Sequence, residues 1–264
     1  MYIFDTHAHY NDTQFDIDRD VLLTQMQTEG VKTIVTIGTN VQDSAQAVQL
    51  AKQYPGYIYA TCGIHPEELP ETKQELDDML QQIEEMAKQT EVVAIGEIGL
   101  DYYWKNDNKE LQQYAFIKQI EIANRLHLPV SIHTRESIDD TIAILRKYPV
   151  EKQGILHCCP FNRELVKQGL AAGYYIAFGG VTTFKNAKHA EEIVQMVPSD
   201  RMVIETDAPY LAPEPYRGKR NDSRNLRYVA EKLSTFRGET VDNILETTYQ
   251  NACRVYQIDT KKGS

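Results

Sequence analysis

Residues 92–97 read Val-Val-Ala-Ile-Gly-Glu, a run of apolar and small residues that ends in a carboxylate. Residues 34–38, Ile-Val-Thr-Ile-Gly, have the same character earlier in the chain. Strands with one face in water alternate apolar and polar residues, whereas strands that are covered on both faces are apolar almost throughout. The two runs therefore predict strands of a parallel sheet that is covered on both faces.

Runs of this kind recur along the chain and alternate with longer amphipathic segments, whose apolar residues lie three and four positions apart. The predicted strands are Tyr2–Asp5, Thr33–Gly38, Tyr57–Gly63, Val92–Glu97, Pro129–His133, Gly154–His157, Tyr174–Phe178 and Met202–Thr206. The predicted helices are Asp18–Glu29, Val41–Tyr54, Lys73–Gln89, Lys109–Leu126, Ile138–Lys147, Arg163–Ala172, Ala187–Val197, Ser223–Thr235 and Val241–Tyr256.

Eight strand-and-helix units, spaced about 30 residues apart, predict an α/β protein that folds as a (β/α)8, or TIM, barrel. The chain has 264 residues, an ordinary length for one barrel, so we expect a single domain over residues 1–264. A doubly wound open sheet is the alternative, and it usually carries a glycine-rich phosphate-binding turn after its first strand. Here Thr6-His7-Ala8-His9 follows the first strand and no such motif occurs, which favours the barrel.

The charge of the chain limits the ways in which it can bind nucleic acid. It has 38 acidic and 28 basic side chains, a formal net charge of −10. Wrapping duplex DNA requires an excess of positive charge. The balance therefore argues against a duplex-coating protein but leaves room for a local basic patch.

The distribution of apolar residues and cysteines indicates the compartment. No apolar run approaches the roughly 20 residues that span a bilayer, and the first ten residues lack the pattern of a signal peptide. We therefore expect a soluble cytoplasmic protein with no membrane partner. The four cysteines form no spaced framework, so reduced thiols are expected, with Cys158 and Cys159 as metal ligands the alternative.

Five of the seven histidines stand at the carboxyl ends of predicted strands. His7 and His9 follow the first strand, and His65, His133 and His157 stand at the ends of the third, fifth and sixth. In a barrel these ends form the rim on which active sites are built. A single histidine there is commonly a hydrogen-bonded core residue, but five on one rim indicate a shared site.

Two carboxylates complete this site: Glu97 ends the fourth predicted strand and Asp207 follows the eighth. A buried carboxylate is costly unless a cation or hydrogen-bond donors compensate for it. With four histidines, all except His65, they make six nitrogen and oxygen ligands. Six exceed the need of one tetrahedral zinc and suit two divalent ions bridged by a carboxylate. Such ligands favour zinc, manganese, iron or nickel, and magnesium is a further candidate.

Separate, ordered motifs resemble the TatD family of metal-dependent deoxyribonucleases, one of the amidohydrolase-like metal barrels. They are FDTHAHY at 4–10, GIHP at 63–66, GEIGLDYY at 96–103, PVSIHTRE at 129–136, ETDAPYLAP at 205–213 and RGKRN at 217–221. The resemblance runs from Phe4 to about Asn251. Two loops depart from the family: HCCPFNRE follows the sixth strand where HCFSG is usual, and RGKRNDSRN lacks the proline that usually follows RGKRNE.

The resemblance implies roles for the residues of the rim. The implied metal ligands, with Glu97 bridging, are His7, His9, Glu97, His133, His157 and Asp207. Asp207 is the natural proton acceptor, because one of its oxygens can bind a metal while the other reaches the attacking water. His65 would face the substrate or stand behind the ligands, and it or His133 could steady a phosphate oxygen or protonate the leaving group.

The implied activity is hydrolysis of phosphodiester bonds at DNA ends, in the manner of a 3′–5′ exonuclease on single strands. The alternative is an amide or ester hydrolase such as an aminoacyl-tRNA deacylase, because an activated water attacks carbon as well as phosphorus. A barrel that only stores metal is a third class, but structural metal sites are closed. The expected partner is a DNA end or single-stranded DNA, and no obligate protein partner is indicated.

Three residues are candidate substrate contacts. Arg135 follows His133, and Tyr103 belongs to an aromatic run whose rings could stack on bases. Arg217 lies in a basic segment, since residues 214–227 hold five basic and two acidic side chains. The plainer alternatives are a surface ion pair for the first, loop packing for the second and a solvated helix entry for the third.

Two further features each have two interpretations. Asp101, which follows the fourth predicted strand, either orients a metal-binding histidine or caps the following turn. The pair Gly179–Gly180 either allows the backbone to approach a ligand or forms a simple turn.

Overall fold

Eight parallel strands form one sheet whose order is the order of the chain. The structure, a computed structural model, describes residues 2–259; Met1 and residues 260–264, which end in Lys-Lys-Gly-Ser, lie outside the described residues. The strands are β1 Ile3–Ala8, β2 Val31–Thr36, β3 Ile58–Cys62, β4 Val92–Asp101, β5 Val130–Arg135, β6 Gly154–Leu156, β7 Tyr175–Phe178 and β8 Met202–Ile204. With helices between the strands, this is the (β/α)8 barrel that the sequence predicts. That residues 1–264 form one domain stays a prediction.

Nine α-helices lie in the described part of the chain and correspond in place to the nine predicted ones. They are α1 Arg19–Thr28, α2 Val41–Gln53, α3 Lys73–Met86, α4 Lys109–Leu126, α5 Ile138–Lys147, α6 Arg163–Ala171, α7 Ala190–Met196, α8 Leu226–Arg237 and α9 Val241–Val255. None of the helices within residues 2–259 is long and apolar enough to cross a membrane.

Two helices begin three residues later than predicted. Helix α8 begins at Leu226 and not at Ser223, because the Asp222 side chain accepts a hydrogen bond from Arg224 N and holds residues 223–225 in a 3-10 turn. Helix α7 begins at Ala190 and not at Ala187, since His189 adopts a left-handed φ of 64°.

Three strands run further than predicted, and each extension carries a residue of the candidate site. Strand β4 continues through Glu97 to Asp101, with all ten residues buried. Its pairing with β5 shifts between Ile95 and Ile98, and such a bulge re-aims a side chain without ending the strand. The extension of β1 carries His7, and that of β5 carries Arg135.

Neighbouring residues of a strand belong to different hydrophobic clusters. Ile34 packs in the cluster between the strands and the helices. Val35 packs in a second cluster, to which Tyr249 of α9 and Tyr256, the residue after that helix, also belong. The Tyr249 ring lies 5.8 Å from the Phe4 ring. Both faces of the sheet are therefore covered, as the continuous apolar runs predict.

The barrel closes between β8 and β1 through individual hydrogen bonds. Thr6 Oγ1 donates to Ile204 O at 3.0 Å, and Asp207 N donates to His7 O at 2.9 Å. The buried Asp5 carboxylate accepts hydrogen bonds from Thr206 N at 3.0 Å, Thr206 Oγ1 at 2.5 Å and Ser223 Oγ at 2.7 Å. Asp5 thus connects β1 to Thr206 and Ser223, which lie near the two ends of the loop between β8 and α8.

We expect Asp5→Ala to lower the free energy of unfolding by about 3 kcal/mol, because it leaves buried donors of Thr206 and Ser223 without an acceptor. Urea denaturation followed by circular dichroism measures the change. Asp16→Ala is the matched control: this carboxylate is exposed and pairs with Arg19 at 2.7 Å, so a change within about 0.5 kcal/mol is expected. Equal unfolding midpoints for the two variants would contradict the role of Asp5.

Candidate metal centre

Histidines and carboxylates from six strands meet at the carboxyl end of the barrel. They are His7 in β1, His9 after β1, His65 after β3, Glu97 in β4, His133 in β5, His157 after β6 and Asp207 after β8. Except for His7, which is buried beneath them, these residues line a cavity of about 540 Å³. The structure therefore brings all seven sequence-predicted residues together.

One group of ligand atoms surrounds Asp207. Its Oδ1 lies 3.2 Å from His9 Nε2 and 3.6 Å from His7 Nε2. His7 Nε2 also lies 3.4 Å from Glu97 Oε2. His7, His9 and Asp207 form a group whose ligand atoms have the spacing needed to hold a metal ion.

A second group surrounds the other oxygen of Glu97. Oε1 lies 3.0 Å from His133 Nδ1, 3.3 Å from His157 Nε2 and 3.6 Å from His65 Nε2. Because its two oxygens face different groups, this one carboxylate connects both halves of the cluster.

The residues fit a cation on a physical test. His7 Nε2 is buried with no hydrogen-bond partner, and an unsatisfied buried polar atom is costly. The His7 and His157 rings stack with centroids 3.6 Å apart. Burial and the neighbouring His157 lower the pKa of His7, so its nitrogen offers a lone pair and not a proton. A bound metal would use that lone pair.

The charges of the two carboxylates are fixed by their histidines. Burial would raise the pKa of Glu97, yet the neighbouring histidines, His157 foremost, hold it well below its usual range. Burial opposes ionisation of Asp207 as well, and the hydrogen bond from His9 lowers its pKa. Both side chains are therefore anionic, which is the form in which a carboxylate binds a metal.

Asp101 fulfils both interpretations that the sequence left open. Its Oδ2 lies 3.0 Å from His133 Nε2, so it orients the histidine that points Nδ1 at Glu97. Its Oδ1 accepts Tyr103 N at 2.9 Å and Trp104 N at 3.0 Å. Burial lowers the pKa of His133, but Asp101 and Glu97 outweigh it and raise that pKa to about 9.

Sequence reasoning missed Glu205, which is buried behind His157. Its Oε1 lies 3.1 Å from His157 Nδ1 and accepts Cys158 N at 2.6 Å. The sequence carries one signal for it, a carboxylate inside the otherwise apolar predicted strand Met202–Thr206, which burial makes costly without a partner. Carboxylates that bond to the distal nitrogen of a metal-binding histidine fix its orientation and raise its basicity.

His65 lies at the edge of the second group. Its Nδ1 accepts Glu67 N at 3.2 Å, which assigns the ring proton to Nε2, the atom that faces Glu97. Burial lowers the pKa of His65 to about 3, so the ring is neutral. A neutral imidazole can donate a hydrogen bond but is a poor proton source for a leaving group.

The cysteines contribute no ligand within the described residues. All four are free thiols, and the groups with metal-binding spacing contain histidines and carboxylates alone. Cys158 lines the cavity, and burial raises its pKa beyond the ordinary range of a thiol. Cys159 is buried, as a packed thiol is, whereas Cys158 is partly exposed at the cavity wall.

The candidate substrate contacts lie at different places. Arg135 lines the cavity, and its Cζ lies 4.2 Å from the centre of the half-exposed Tyr103 ring. Arg217 is exposed and stacks on Phe184, with Cζ 4.1 Å from that ring's centre. Arg217 is not among the residues that line the cavity.

Much of the positive charge around Arg217 is neutralised by neighbouring acids. Arg220 binds both oxygens of Asp18, at 2.9 and 2.5 Å. Arg224 binds both oxygens of Asp222 at 2.9 Å. The basic excess of residues 214–227 is therefore weaker in the folded chain than along the sequence.

The glycine pair after β7 makes a close backbone approach within the chain. A Cβ on Gly180 would lie 1.9 Å from Leu211 O, a distance that no side chain can accept. Gly180 thus lets the β7 loop pack against the β8 loop, which lines the cavity through Tyr210 and Leu211.

The two loops that depart from the family pattern have local structural reasons. In RGKRNDSRN, Asp222 caps the 3-10 turn and Ser223 bonds to Asp5. In HCCPFNRE, Cys158 and Phe161 adopt left-handed φ values of 45° and 52°, which turn the chain sharply after β6.

Comparison with known proteins identifies relatives over nearly the whole chain. A family model described as TatD-related DNase matches residues 4–257. A Bacillus subtilis protein named an uncharacterized metal-dependent hydrolase is 38% identical, covering 97% of this chain and 100% of its own. An Erwinia tasmaniensis protein named a 3′–5′ ssDNA/RNA exonuclease TatD is 33% identical, covering 97% and 100%. The crystal structure of an Escherichia coli TatD homologue matches with a TM-score of 0.89 and 27% identity, over 97% of this chain and 98% of that one.

Glu97→Ala is expected to abolish metal binding at both groups, because it removes the one carboxylate of residues 2–259 that faces both. Elemental analysis after dialysis against zinc or manganese measures the bound metal per chain. Glu68→Ala is the control, since Glu68 lines the same cavity but bonds to Asn40. Full metal content in the Glu97 variant would refute the connecting role of this carboxylate.

Glu205→Gln is expected to weaken metal binding about 10- to 100-fold, since His157 loses its anionic partner while the volume of the side chain is kept. Competition against a coloured chelator gives the affinity. Exposed Glu191→Gln, which lies in the first turn of α7, serves as the control. An affinity equal to that of the unmodified protein would show that Glu205 acts only on folding.

Proposed function

This chain belongs to the family of TatD-related DNases and is a metal-dependent hydrolase of that type, and from this premise we propose that it hydrolyses phosphodiester bonds at the ends of single-stranded DNA. The observation that carries the proposal is Glu97, whose two oxygens face two separate groups of ligands. Two metal sites joined by one carboxylate are typical of enzymes that displace groups at phosphorus.

In this proposal the metal ligands are those that the sequence predicts. Asp207, His7 and His9 would hold one divalent cation, His133 and His157 would hold the other, and Glu97 would serve both. A divalent pair, be it zinc, manganese, magnesium, iron or nickel, supplies a Lewis acid and a nucleophilic water at neutral pH. The protein fixes the imidazoles from behind, through Ser131 on His7, Asp101 on His133 and Glu205 on His157.

Asp207 takes the proton of the attacking water. Its Oδ1 faces His7 and His9. The other carboxylate oxygen, Oδ2, is left to accept the proton. The residue adopts a left-handed φ of 59°, held by the hydrogen bonds from its N to His7 O and from Tyr210 N to its own O. A strained residue that its surroundings hold in place is common at catalytic sites.

The shape of the cavity favours a chain end. At about 540 Å³ it falls within the range of sites for small molecules, so it admits a terminal nucleotide and its phosphate. Arg135 on the wall supplies a guanidinium that matches phosphate geometry. His65 offers the Nε2 proton as a hydrogen bond to a phosphate oxygen. Tyr103 and Arg217 lie outside the lining of the cavity. The exonuclease name of the Erwinia tasmaniensis relative is consistent with such a substrate.

Hydrolysis of end-labelled DNA tests the proposal. Metal-loaded protein is incubated with single strands labelled at the 3′ or the 5′ end, with the matching duplex and with an aminoacyl ester. We expect single strands to lose the 3′ label first and the duplex to react more slowly. Loss of the 5′ label first would reverse the polarity, and ester cleavage without DNA cleavage would favour the ester hydrolase.

Asp207→Asn is expected to lower kcat for single-stranded DNA about 100- to 10,000-fold, the range for loss of a general base, while most of the metal stays bound. Single-turnover kinetics and elemental analysis on the same sample measure both quantities. Asp16→Asn, on the exposed surface, is the control. Near-normal turnover with full metal content would overturn the role of Asp207 as the proton acceptor.

A further inference from the structure

Large apolar side chains that remain exposed concentrate around the mouth of the cavity. Among the described residues the exposed ones are Tyr2, Ile17, Val21, Tyr103, Trp104, Tyr210, Leu211 and Tyr216. Tyr210 and Leu211 line the cavity on the β8 side. Tyr103 and Trp104 follow β4 on the other side, and Trp104 is 60% exposed. An indole left in water forgoes the stabilisation that burial gives, so its exposure needs a reason.

The turn that carries Trp104 is fixed at both of its ends to the walls of the cavity. Asp101 accepts the backbone N–H groups of Tyr103 and Trp104 with one oxygen and contacts His133 with the other. Lys105 Nζ donates to Glu67 O at 2.6 Å, and Glu67 lines the cavity. The position of the indole is therefore coupled to the ligand histidine and is not that of a loose loop tip.

The rings around Trp104 leave much of the indole exposed to solvent. The Tyr103 ring meets it nearly at right angles, at 85° with centroids 4.7 Å apart, and no other ring of residues 2–259 is stacked in parallel on the indole. The Arg135 guanidinium carbon lies 5.4 Å from the centre of the Trp104 ring and 4.2 Å from that of Tyr103. The cation therefore lies over one side of an indole that is 60% exposed, and the rest of the ring remains open to solvent.

We propose that Trp104 is the platform on which an unpaired nucleobase stacks while Arg135 binds the adjoining phosphate. The inference rests on the proposed function and names the part of the substrate that the rim recognises. Every base has a π face, so stacking on Trp104 tolerates any sequence. Bases within a duplex are already stacked and are not free to do so, which makes the platform select single strands. An apolar protein segment would use the ring but not the cation beside it.

Fluorescence tests the platform without catalysis, because Trp104 is the only tryptophan of the chain. The full-length protein, freed of metal with EDTA, is titrated with an eight-residue oligothymidylate that carries fluorescein, or with its oligouridylate counterpart. We expect quenching of the tryptophan emission that saturates together with the anisotropy of the label, and no quenching by an abasic oligomer of equal length. A rise in anisotropy with unchanged emission, or no binding at all, overturns the inference.

Steady-state kinetics of the metal-loaded enzyme give a second, independent readout. Trp104→Ala is expected to raise KM for the oligothymidylate about 5- to 100-fold, the range for loss of one stacked base, and Trp104→Phe is expected to restore most of it. Tyr2→Ala is the matched control, since Tyr2 is 55% exposed and precedes β1 at the opposite end of the barrel.

The two inferences fail in different ways. A KM for Trp104→Ala equal to that of the Tyr2 variant, or a fall in kcat alone, overturns the platform and leaves the nuclease intact. If the unmodified enzyme does not cleave DNA at all, the proposed function fails, and the quenching experiment still decides whether Trp104 binds bases.

Discussion

The ionised carboxylate of Glu97 is the interaction on which the rest of the site depends. A charged group that is 4% exposed costs several kcal/mol unless partners surround it. Its partners come from four other places along the chain: His7, His65, His133 and His157. Only a sheet that curves back on itself brings these places within 4 Å of one carboxylate, so the closure of the barrel by Asp5 and the charge of Glu97 depend on each other.

The imidazoles are oriented from outside the cluster. Ser131 Oγ lies 3.2 Å from His7 Nδ1, and Asp101 and Glu205 meet the distal nitrogens of His133 and His157. Each of these histidines therefore has one nitrogen facing a polar side chain of the protein and the other directed inward. Rings held in this way need little rearrangement when a cation enters, which is what distinguishes a prepared site from a chance cluster of histidines.

The sequence predicts those parts of the molecule that follow a period or a strand end. Apolar runs predict the strands, and histidines at their ends predict the rim. The bulge at Glu97 was not predictable, because it arises from the register between β4 and β5. Glu205 was missed because a carboxylate inside an apolar run does not reveal its partner. The pairing of Arg220 with Asp18 was missed because only the tertiary fold brings residues so distant in sequence together.

The same ion pairs change what the charge of the chain implies. Asp18 and Asp222 neutralise Arg220 and Arg224, so an acidic protein with net charge −10 offers few free cations at its rim. Binding of a polyanion by few cations has a shallow dependence on salt, and the remaining affinity must come from contacts that are not ionic. Aromatic faces at the mouth provide such contacts only to bases that are unpaired. The net charge and the exposed rings therefore both support the substrate that we propose, a single strand captured at its end.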